Sequence, residues 1–356
     1  LVLALKNERT ISSETLTLEK EETMSVLVTG ATGFIGSALA RQLVRRGERV
    51  VLLVRRQSKL YAIEDILDSV ELRYGDVTDL ESLQAAMHGI DYVYHCAGKA
   101  YIGPKKAEEL YRINVEGTKN VLRAAERHHV KRLIYTSSIS AIGITGTKQP
   151  ADESQTWNLD ELNVPYYTTK HLAEEEVRKA AQNQLDCVIV NPSYVFGAGD
   201  INFHAGRLIR DLYYHKIPAY PTGGICVADV EDVAEGHIAA MEKGKCGERY
   251  ILGGENLTYK QVFDIICQVV GAPRVLIPLS ESIVKIFIAL TAKARRLHRI
   301  TSLANREVLL SASKFFYFTS EKAKRELGFD NRRSVGEAFV ETIARSFSWY
   351  RSRQLI

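Results

Sequence analysis

Tyr166 and Lys170 stand four residues apart at the start of Pro165-Tyr166-Tyr167-Thr168-Thr169-Lys170-His171-Leu172-Ala173-Glu174, which opens a helix. That spacing puts a phenol and an ammonium on one helix face. An ammonium close to a phenol, with the positive nicotinamide of a bound cofactor nearby, favours the phenolate and lowers its pKa towards neutrality, so Tyr166 is a candidate general acid/base for a hydroxyl or a carbonyl. Tyr167, three before Lys170 rather than four, falls out of that register. A second constellation lies far upstream, in Val26-Leu27-Val28-Thr29-Gly30-Ala31-Thr32-Gly33-Phe34-Ile35-Gly36. A short β-branched run leads into three glycines at spacing three, and Ser37 to Val44 then shows helical periodicity. Strand, Gly-rich turn and helix N-terminus together direct unpaired backbone N–H groups and the positive end of the helix dipole at one point, an anion site that suits a pyrophosphate. The glycines let the turn close and let the anion approach the backbone.

Regular elements must bring these groups together. Val26–Val28, Arg49–Val54, Val70–Tyr74, Asp91–Gly98, Lys131–Ser138 and Cys187–Val190 are short apolar runs that read as buried strands. Helical stretches alternate with them, one running from Ala107 to His128. The alternation predicts an α/β fold with a doubly wound parallel sheet. The second strand ends in Arg55-Arg56-Gln57-Ser58-Lys59, where an NAD site carries Asp or Glu. Arg55 and Lys59 suit a 2′-phosphate instead, so NADP(H) is the expected cofactor, with NAD(H) as the alternative. Ala97 and Gly98, at the fourth strand's exit, are small enough to leave room for a ribose. His95 reads as structural. Asp229, Glu231 and Asp232 open a helix and read as charge pairing with its N-terminus, and no metal is expected.

Thr29-Gly30-x-x-Gly33-Phe34-Ile35-Gly36 resembles the cofactor loop of the extended short-chain dehydrogenase/reductases, of the NAD-dependent epimerase/dehydratase type. The demand this makes for a later Tyr-x-x-x-Lys is met by Tyr166 and Lys170. The resemblance implies a Rossmann-type sheet with a smaller C-terminal substrate-binding lobe. It implies that Gly30, Thr32, Gly33, Phe34, Ile35 and Gly36 hold the dinucleotide. Asp76 and Val77 would contact its adenine side, and Ala97, Gly98, Tyr166, Lys170, Pro192 and Val195 the remainder. Lys170 would hold the ribose hydroxyls. Ser138, at the last position of the family's strand-end serine motif, would be the third catalytic residue in preference to Ser137, donating a hydrogen bond where charge develops. Asn114 would buttress the site, and Asn191 would lie near the phosphates of a sugar nucleotide. A homodimer is implied as well. Within the family the chain looks most like the dihydroflavonol 4-reductase-like branch. More narrowly it resembles hopanoid-associated sugar epimerases, through Tyr250 to Thr258, Asp229 to His237, Asn191-Pro192-Ser193 and Phe316-Tyr317-Phe318.

The chain has 356 residues, 46% hydrophobic and 25% charged, with a net charge of +4 that is not clustered, so nucleic acid is not an expected partner. Five scattered cysteines without Cys-x-x-Cys spacing read as reduced thiols of a cytoplasmic protein. Residues 1–23 are expected to be a disordered tail. Residues 24–197 with about 225–254 are expected to form the nucleotide-binding domain, and about 198–224 with 255–350 the substrate lobe, where Tyr101, Ile144, Phe203 and Arg207 are candidate lining residues. Residues 283–300 run from apolar to basic without an acid. They read as a lobe or interface helix, the alternative being peripheral contact with the inner face of a membrane. The favoured activity is hydride exchange between nicotinamide and a secondary alcohol or ketone. A nucleotide-sugar epimerase or dehydratase using the same site is the alternative, and a cofactor-sensing binding protein is the reading from another class.

Overall fold

The computed structural model describes residues 24–101, 106–203, 205–286, 306–331, 333 and 336–356. The tail 1–23 and most of the stretch 283–300 lie outside these residues. Alternate side chains of the strands enter two different hydrophobic layers. Val26 and Val28 of β1 (Ser25–Thr29), with Val50, Leu52 and Val54 of β2 (Arg49–Val54), join one layer; Leu27, Val51 and Leu53 join the other. A strand buried on both faces has no polar side to show, which is why these segments are continuously apolar.

Five further strands complete a seven-stranded sheet: β3 (Glu71–Tyr74), β4 (Tyr92–His95), β5 (Arg132–Thr136), β6 (Cys187–Pro192) and β10 (Arg249–Leu252). Its order is β10-β6-β5-β4-β1-β2-β3 and every pairing is parallel. The order reverses between β1 and β4, so a crevice opens beyond their carboxyl ends. Helices α1 (Phe34–Arg45) and α7 (Val230–Lys243) pack side by side on one face. The other face carries α2 (Leu80–Ala86), α4 (Gly117–Arg127) and α5 (Pro165–Gln182).

The helical run expected from Ala107 to His128 is interrupted. Between α3 (Ala107–Tyr111) and α4, residues Arg112–Glu116 form a π-helical turn. Asn114 lies in it, and its amide is held by Lys99 and Thr169: Oδ1 accepts from the Lys99 N–H (2.7 Å), and Nδ2 donates to the Lys99 carbonyl (3.0 Å) and Thr169 Oγ1 (3.1 Å). One extra residue in the turn aims a side chain that a regular helix would point elsewhere.

A second, smaller assembly covers the carboxyl end of the sheet. Strand β9 (Gly224–Asp229) pairs antiparallel with β11 (Glu255–Thr258) and parallel with β7 (Tyr194–Phe196) and β13 (Phe315–Phe316). β8 (Ala219–Pro221) and β12 (Ile277–Leu279) form a separate pair. Helices α6 (Gly206–Tyr213), α8 (Tyr259–Val270) and Glu337–Ser352 complete its own core. The chain passes between the two parts more often than a split at 197, 225 and 254 describes. β9 hydrogen-bonds in the smaller sheet, whereas Ala323, Leu327 and Phe329 pack with the layer of α1 and α7.

Candidate active site

The glycine turn is shaped for close approach. Gly30 has φ +71°, and a Cβ there would come within 2.6 Å of the Ala97 nitrogen; one on Gly36 would come within 2.3 Å of the Gly30 carbonyl oxygen. Gly33 is the N-cap of α1 and brings no side chain to its N–H groups. Thr32, Gly33 and Ile35 are half-buried, while Phe34 and Gly36 are buried against the sheet. A cradle that any Cβ would fill, at an uncapped helix start, fits a dinucleotide pyrophosphate. Around it, Thr29 Oγ1 accepts from the Ala97 N–H (3.2 Å) and lies 2.8 Å from His95 Nδ1, and His95 Nε2 is 3.1 Å from Thr118 Oγ1. His95 is fully buried, and burial lowers its pKa to about 3, so it is a structural hinge of β1, β4 and α4 as expected.

Arg55 and Lys59 are exposed at the end of β2. Among the described residues no carboxylate forms an ion pair with either of them or with Arg56, whose guanidinium lies 5.1 Å from the centre of the Tyr74 ring. Asp76, at the exit of β3, accepts from the N–H and hydroxyl of Thr78 through one oxygen, both at 2.9 Å. Neighbouring Val77 is buried, and the α2 cap falls to Asp79. Gly98 is exposed beside Ala97, and Pro192 and Val195 end β6 and continue into β7 above the sheet.

Pro165 occupies the first turn of α5, so Tyr166 and Lys170 stand at that helix's start as their spacing requires. Lys170 is buried; Nζ donates to the Thr136 carbonyl (2.7 Å) and to the Tyr135 hydroxyl (3.0 Å). An ammonium has three N–H donors, so one remains for a ligand hydroxyl. Burial pulls the Lys170 pKa down to about 8, opposed by the negative charge of Glu174 and then of Cys96. Hydrogen bonding by the Ser138 and Ser140 hydroxyls acts to lower the Tyr166 pKa. Burial raises the Tyr166 pKa and the two serines oppose it, while two of the Lys170 protons are directed at Tyr135 and Thr136. Among the protein's own groups Tyr166 is therefore a neutral phenol, ready to give a proton rather than to take one.

The two strand-end serines point in opposite directions. Ser138 Oγ accepts from the N–H (3.2 Å) and hydroxyl (2.9 Å) of Ser140, which leaves its own proton to donate beside Tyr166. Ser137 is buried and donates to Glu174 Oε2 (2.6 Å). Tyr167 is buried against Phe316, away from this cluster.

Asn191 is fully buried: Nδ2 donates to the Ser138 carbonyl (3.0 Å) and to Glu174 Oε2 (2.7 Å), and Oδ1 has no hydrogen-bond partner among the described residues. The lining candidates are dispersed in role. Ile144 is core, Phe203 stacks on Tyr350, Arg207 pairs with Asp211, and Tyr101 is half-buried with the Lys106 ammonium 5.4 Å from its ring. Sequence reasoning missed Tyr135, Ser140, Glu174, Arg249 and Trp157; the Trp157 indole donates to the Ser140 carbonyl (2.9 Å) and stacks on His171. Strand parity was the available signal. Leu133, Tyr135 and Ser137 continue one face of β5, as Cys187, Ile189 and Asn191 continue one face of β6, and both faces meet α5. Among the described residues no cluster of His, Cys, Asp or Glu could hold a metal ion, and the cysteines are free thiols.

The profile of the NAD dependent epimerase/dehydratase family matches residues 26–253. A protein of Synechocystis, provisionally named dihydroflavonol 4-reductase, is 35% identical over 323 residues, 89% of this chain and 92% of that protein. Sterol demethylase protein B of Methylococcus capsulatus is 32% identical over 336 residues, 94% of this chain and 100% of that protein. The crystal structure of a nucleoside-diphosphate-sugar epimerase from Pseudomonas aeruginosa superposes with a TM-score of 0.77 at 25% identity, covering 93% of this chain and 98% of that one.

Proposed function

This chain belongs to the NAD dependent epimerase/dehydratase family, the NAD(P)-dependent oxidoreductases and epimerases of the extended short-chain type, and from that premise we propose that it is an NADP(H)-dependent reductase interconverting a ketone and a secondary alcohol. The observation that carries the reading is the meeting of a neutral Tyr166 phenol with the Ser138 hydroxyl, next to a Lys170 ammonium with one N–H to spare. The glycine turn would hold the pyrophosphate, Asp76 and Val77 the adenine side, Lys170 the ribose hydroxyls, and Arg55 and Lys59 a 2′-phosphate. Nicotinamide supplies or accepts the hydride when bound. Tyr166 gives its proton to the carbonyl oxygen as that oxygen gains charge, and the Ser138 hydroxyl donates a hydrogen bond to the same atom. The phenolate left behind is stabilised by the ammonium four residues on.

The basic end of β2 favours net reduction, because NADP(H) is the cofactor that usually drives it. The second reading, a nucleotide-sugar epimerase related to the hopanoid-associated type, draws its support from the structural likeness to the Pseudomonas aeruginosa epimerase. In that reaction the hydride returns to the opposite face of the same carbon. The test is cofactor balance, with the purified protein incubated with NADPH or NADH and panels of ketones and nucleotide sugars. Stoichiometric loss of NADPH absorbance supports the reductase; product formed with only catalytic cofactor rules it out. Tyr166→Phe should slow turnover by roughly 10²–10⁴-fold while dinucleotide binding persists. An undiminished cellular effect of that variant would instead favour a cofactor-sensing binding protein. On the same resemblance we propose a cytoplasmic homodimer. Among the described residues no helix is long and apolar enough to cross a membrane. Exposed Ile283 and Ile286 are the described part of any peripheral membrane contact.

A further inference from the structure

Beneath the reacting groups lies a buried carboxylate that the proposed chemistry does not use. Glu174 is one helical turn beyond Lys170 on α5 and only 1% exposed. Its Oε2 accepts from Ser137 Oγ (2.6 Å) and Asn191 Nδ2 (2.7 Å), and its Oε1 from the Arg249 guanidinium (3.0 Å). The donors come from β6, β10 and the end of β5, so three strands converge on one side chain. Asn191 passes the constraint on, because the same Nδ2 also donates to the Ser138 carbonyl (3.0 Å). Ser138 is therefore held from both sides of its own amino-terminal peptide: by the Ser137 side chain before it and by its own carbonyl after it. Arg249 closes the cluster outward, donating to the carbonyls of Glu153 (2.9 and 2.6 Å) and Gln155 (3.1 Å), in the loop that leads to Trp157.

We propose that Glu174 is a positioning residue of this site, whose single buried carboxylate both aims the Ser138 hydroxyl at Tyr166, through Ser137 and Asn191, and keeps the Lys170 side chain in its charged form. The inference rests on the functional reading of Ser138, Tyr166 and Lys170 given above. Burying a charge is costly unless it is paired and hydrogen-bonded, and here both carboxylate oxygens are engaged. The net effect on Lys170 agrees: burial drives its proton off, and Glu174 is the first group holding it on. The titratable groups facing Lys170 are Tyr166 and Glu174 on α5, Tyr135 on β5, and His95 and Cys96 at the end of β4. His95 and Tyr135 are held neutral by burial and Cys96 is pushed up to about 11, and Glu174 is the first of these groups opposing the loss of the Lys170 proton.

The experiment is the pH dependence of NADPH binding, read by nicotinamide fluorescence without substrate, alongside kcat on whichever ketone the wild type reduces. In the wild type, affinity should fall as pH rises through about 8, where Lys170 loses its proton. Glu174→Gln can still accept from Ser137 and Asn191 but has lost its charge, so its alkaline limb should move about one pH unit lower. Its kcat at pH 7 should drop about tenfold, with KM for NADPH at that pH changing far less. Glu174→Asp keeps the charge and shortens the reach, so the limb should stay in place while kcat falls. If the single neutral variant does not fold, Glu174→Gln combined with Arg249→Met removes the closest pair of charges together, leaving Arg178, 3.8 Å from Oε1 and 36% exposed, as the remaining cation, and should show the same displaced limb. A limb that stays at the wild-type pH in the neutral variants overturns the proposal, as does a Glu174→Asp limb that moves with theirs. Failure of the reductase reading looks different: the wild type binds NADPH and reduces no ketone, while the displaced binding limb still reports on Glu174. A wild type that binds no dinucleotide overturns both.

Discussion

Two strand-to-helix junctions lie on the same face of the large sheet, and they treat the start of a helix in opposite ways. Where β9 runs into α7, the chain satisfies the helix itself. Asp229 is the N-cap, its Oδ1 accepting from the Glu231 N–H (2.8 Å), and its Oδ2 accepts from Thr342 Oγ1 (2.7 Å) and Arg345 (2.9 Å). Glu231 and Asp232 complete an acidic first turn, with Asp232 held by Arg333. Where β1 runs into α1, Gly33 is the cap, the first turn has no acidic residue, and no side chain reaches the N–H groups. The helices are similar in length and are neighbours, so the difference lies in the junction. One helix start is finished by the protein's own anions; the other is left for an anion from outside. Leaving a cap out forfeits roughly 1 kcal/mol of helix stability, which a dinucleotide returns on binding.

Making the β1–α1 junction resemble the β9–α7 junction should have the largest effect. The Gly33 backbone is extended (φ −92°, ψ 176°), a conformation open to Asp, and the added Cβ would meet only the Gly30 carbonyl at 3.1 Å. Gly33→Asp is expected to fold with an unchanged or higher Tm, because a capping carboxylate then serves α1. It should bind NADPH and NADH at least about 100-fold more weakly, since that carboxylate occupies the N–H groups and repels the pyrophosphate. Isothermal titration of the folded variant decides it. Wild-type affinity there would mean that the phosphates are seated elsewhere.

The reverse change is smaller and shows in a different observable. Asp229→Ala removes a cap and the Arg345 ion pair; Thr342 keeps the Arg333 and Ala338 carbonyls as acceptors (both 3.0 Å), and Arg345, 40% exposed, can turn to water. A loss of about 2 kcal/mol is expected, a Tm lowered by a few degrees, with NADPH affinity within about twofold of wild type. Thermal melts with and without cofactor read both quantities. A variant that loses binding along with stability would show the two junctions to be coupled through the α1–α7 contact.

The same contrast explains what could be read in advance. Gly30, Gly33 and Gly36, and the Tyr166–Lys170 pair, act through distances set inside one turn or one helix, so their spacing in the chain is their spacing in space. The Glu174 cluster has no such local record. Residues 137, 174, 191 and 249 are brought together only by the parallel pairing of β5 with β6 and of β6 with β10. Strand parity turns Asn191 toward α5, with Cys187 and Ile189, where Glu174 waits. The π-turn around Asn114 was invisible because a single added residue leaves helical periodicity almost intact. The smaller sheet was the least legible, being built from pieces as short as Phe315–Phe316 whose partners are set by tertiary contact.

The smallest expected effect tests the proposed role of the exposed cations ending β2. Backbone N–H groups at the α1 start are fixed in place and buried charge interactions are strong there, whereas the Arg55 side chain stands in water and must be ordered by its ligand. A contact of that kind contributes about 1 kcal/mol and weakens with salt. Arg55→Gln should therefore weaken NADPH binding about five- to tenfold, leave NADH binding unchanged, and flatten the ionic-strength dependence of the NADPH affinity. Adding Lys59→Gln should extend the loss, again for NADPH alone. Titrating both dinucleotides at low and high salt separates the outcomes. Equal losses for NADH and NADPH would place Arg55 on the shared part of the cofactor and remove the 2′-phosphate from the account, while the comparison of the two helix starts would stand, because it depends on the pyrophosphate that both dinucleotides carry.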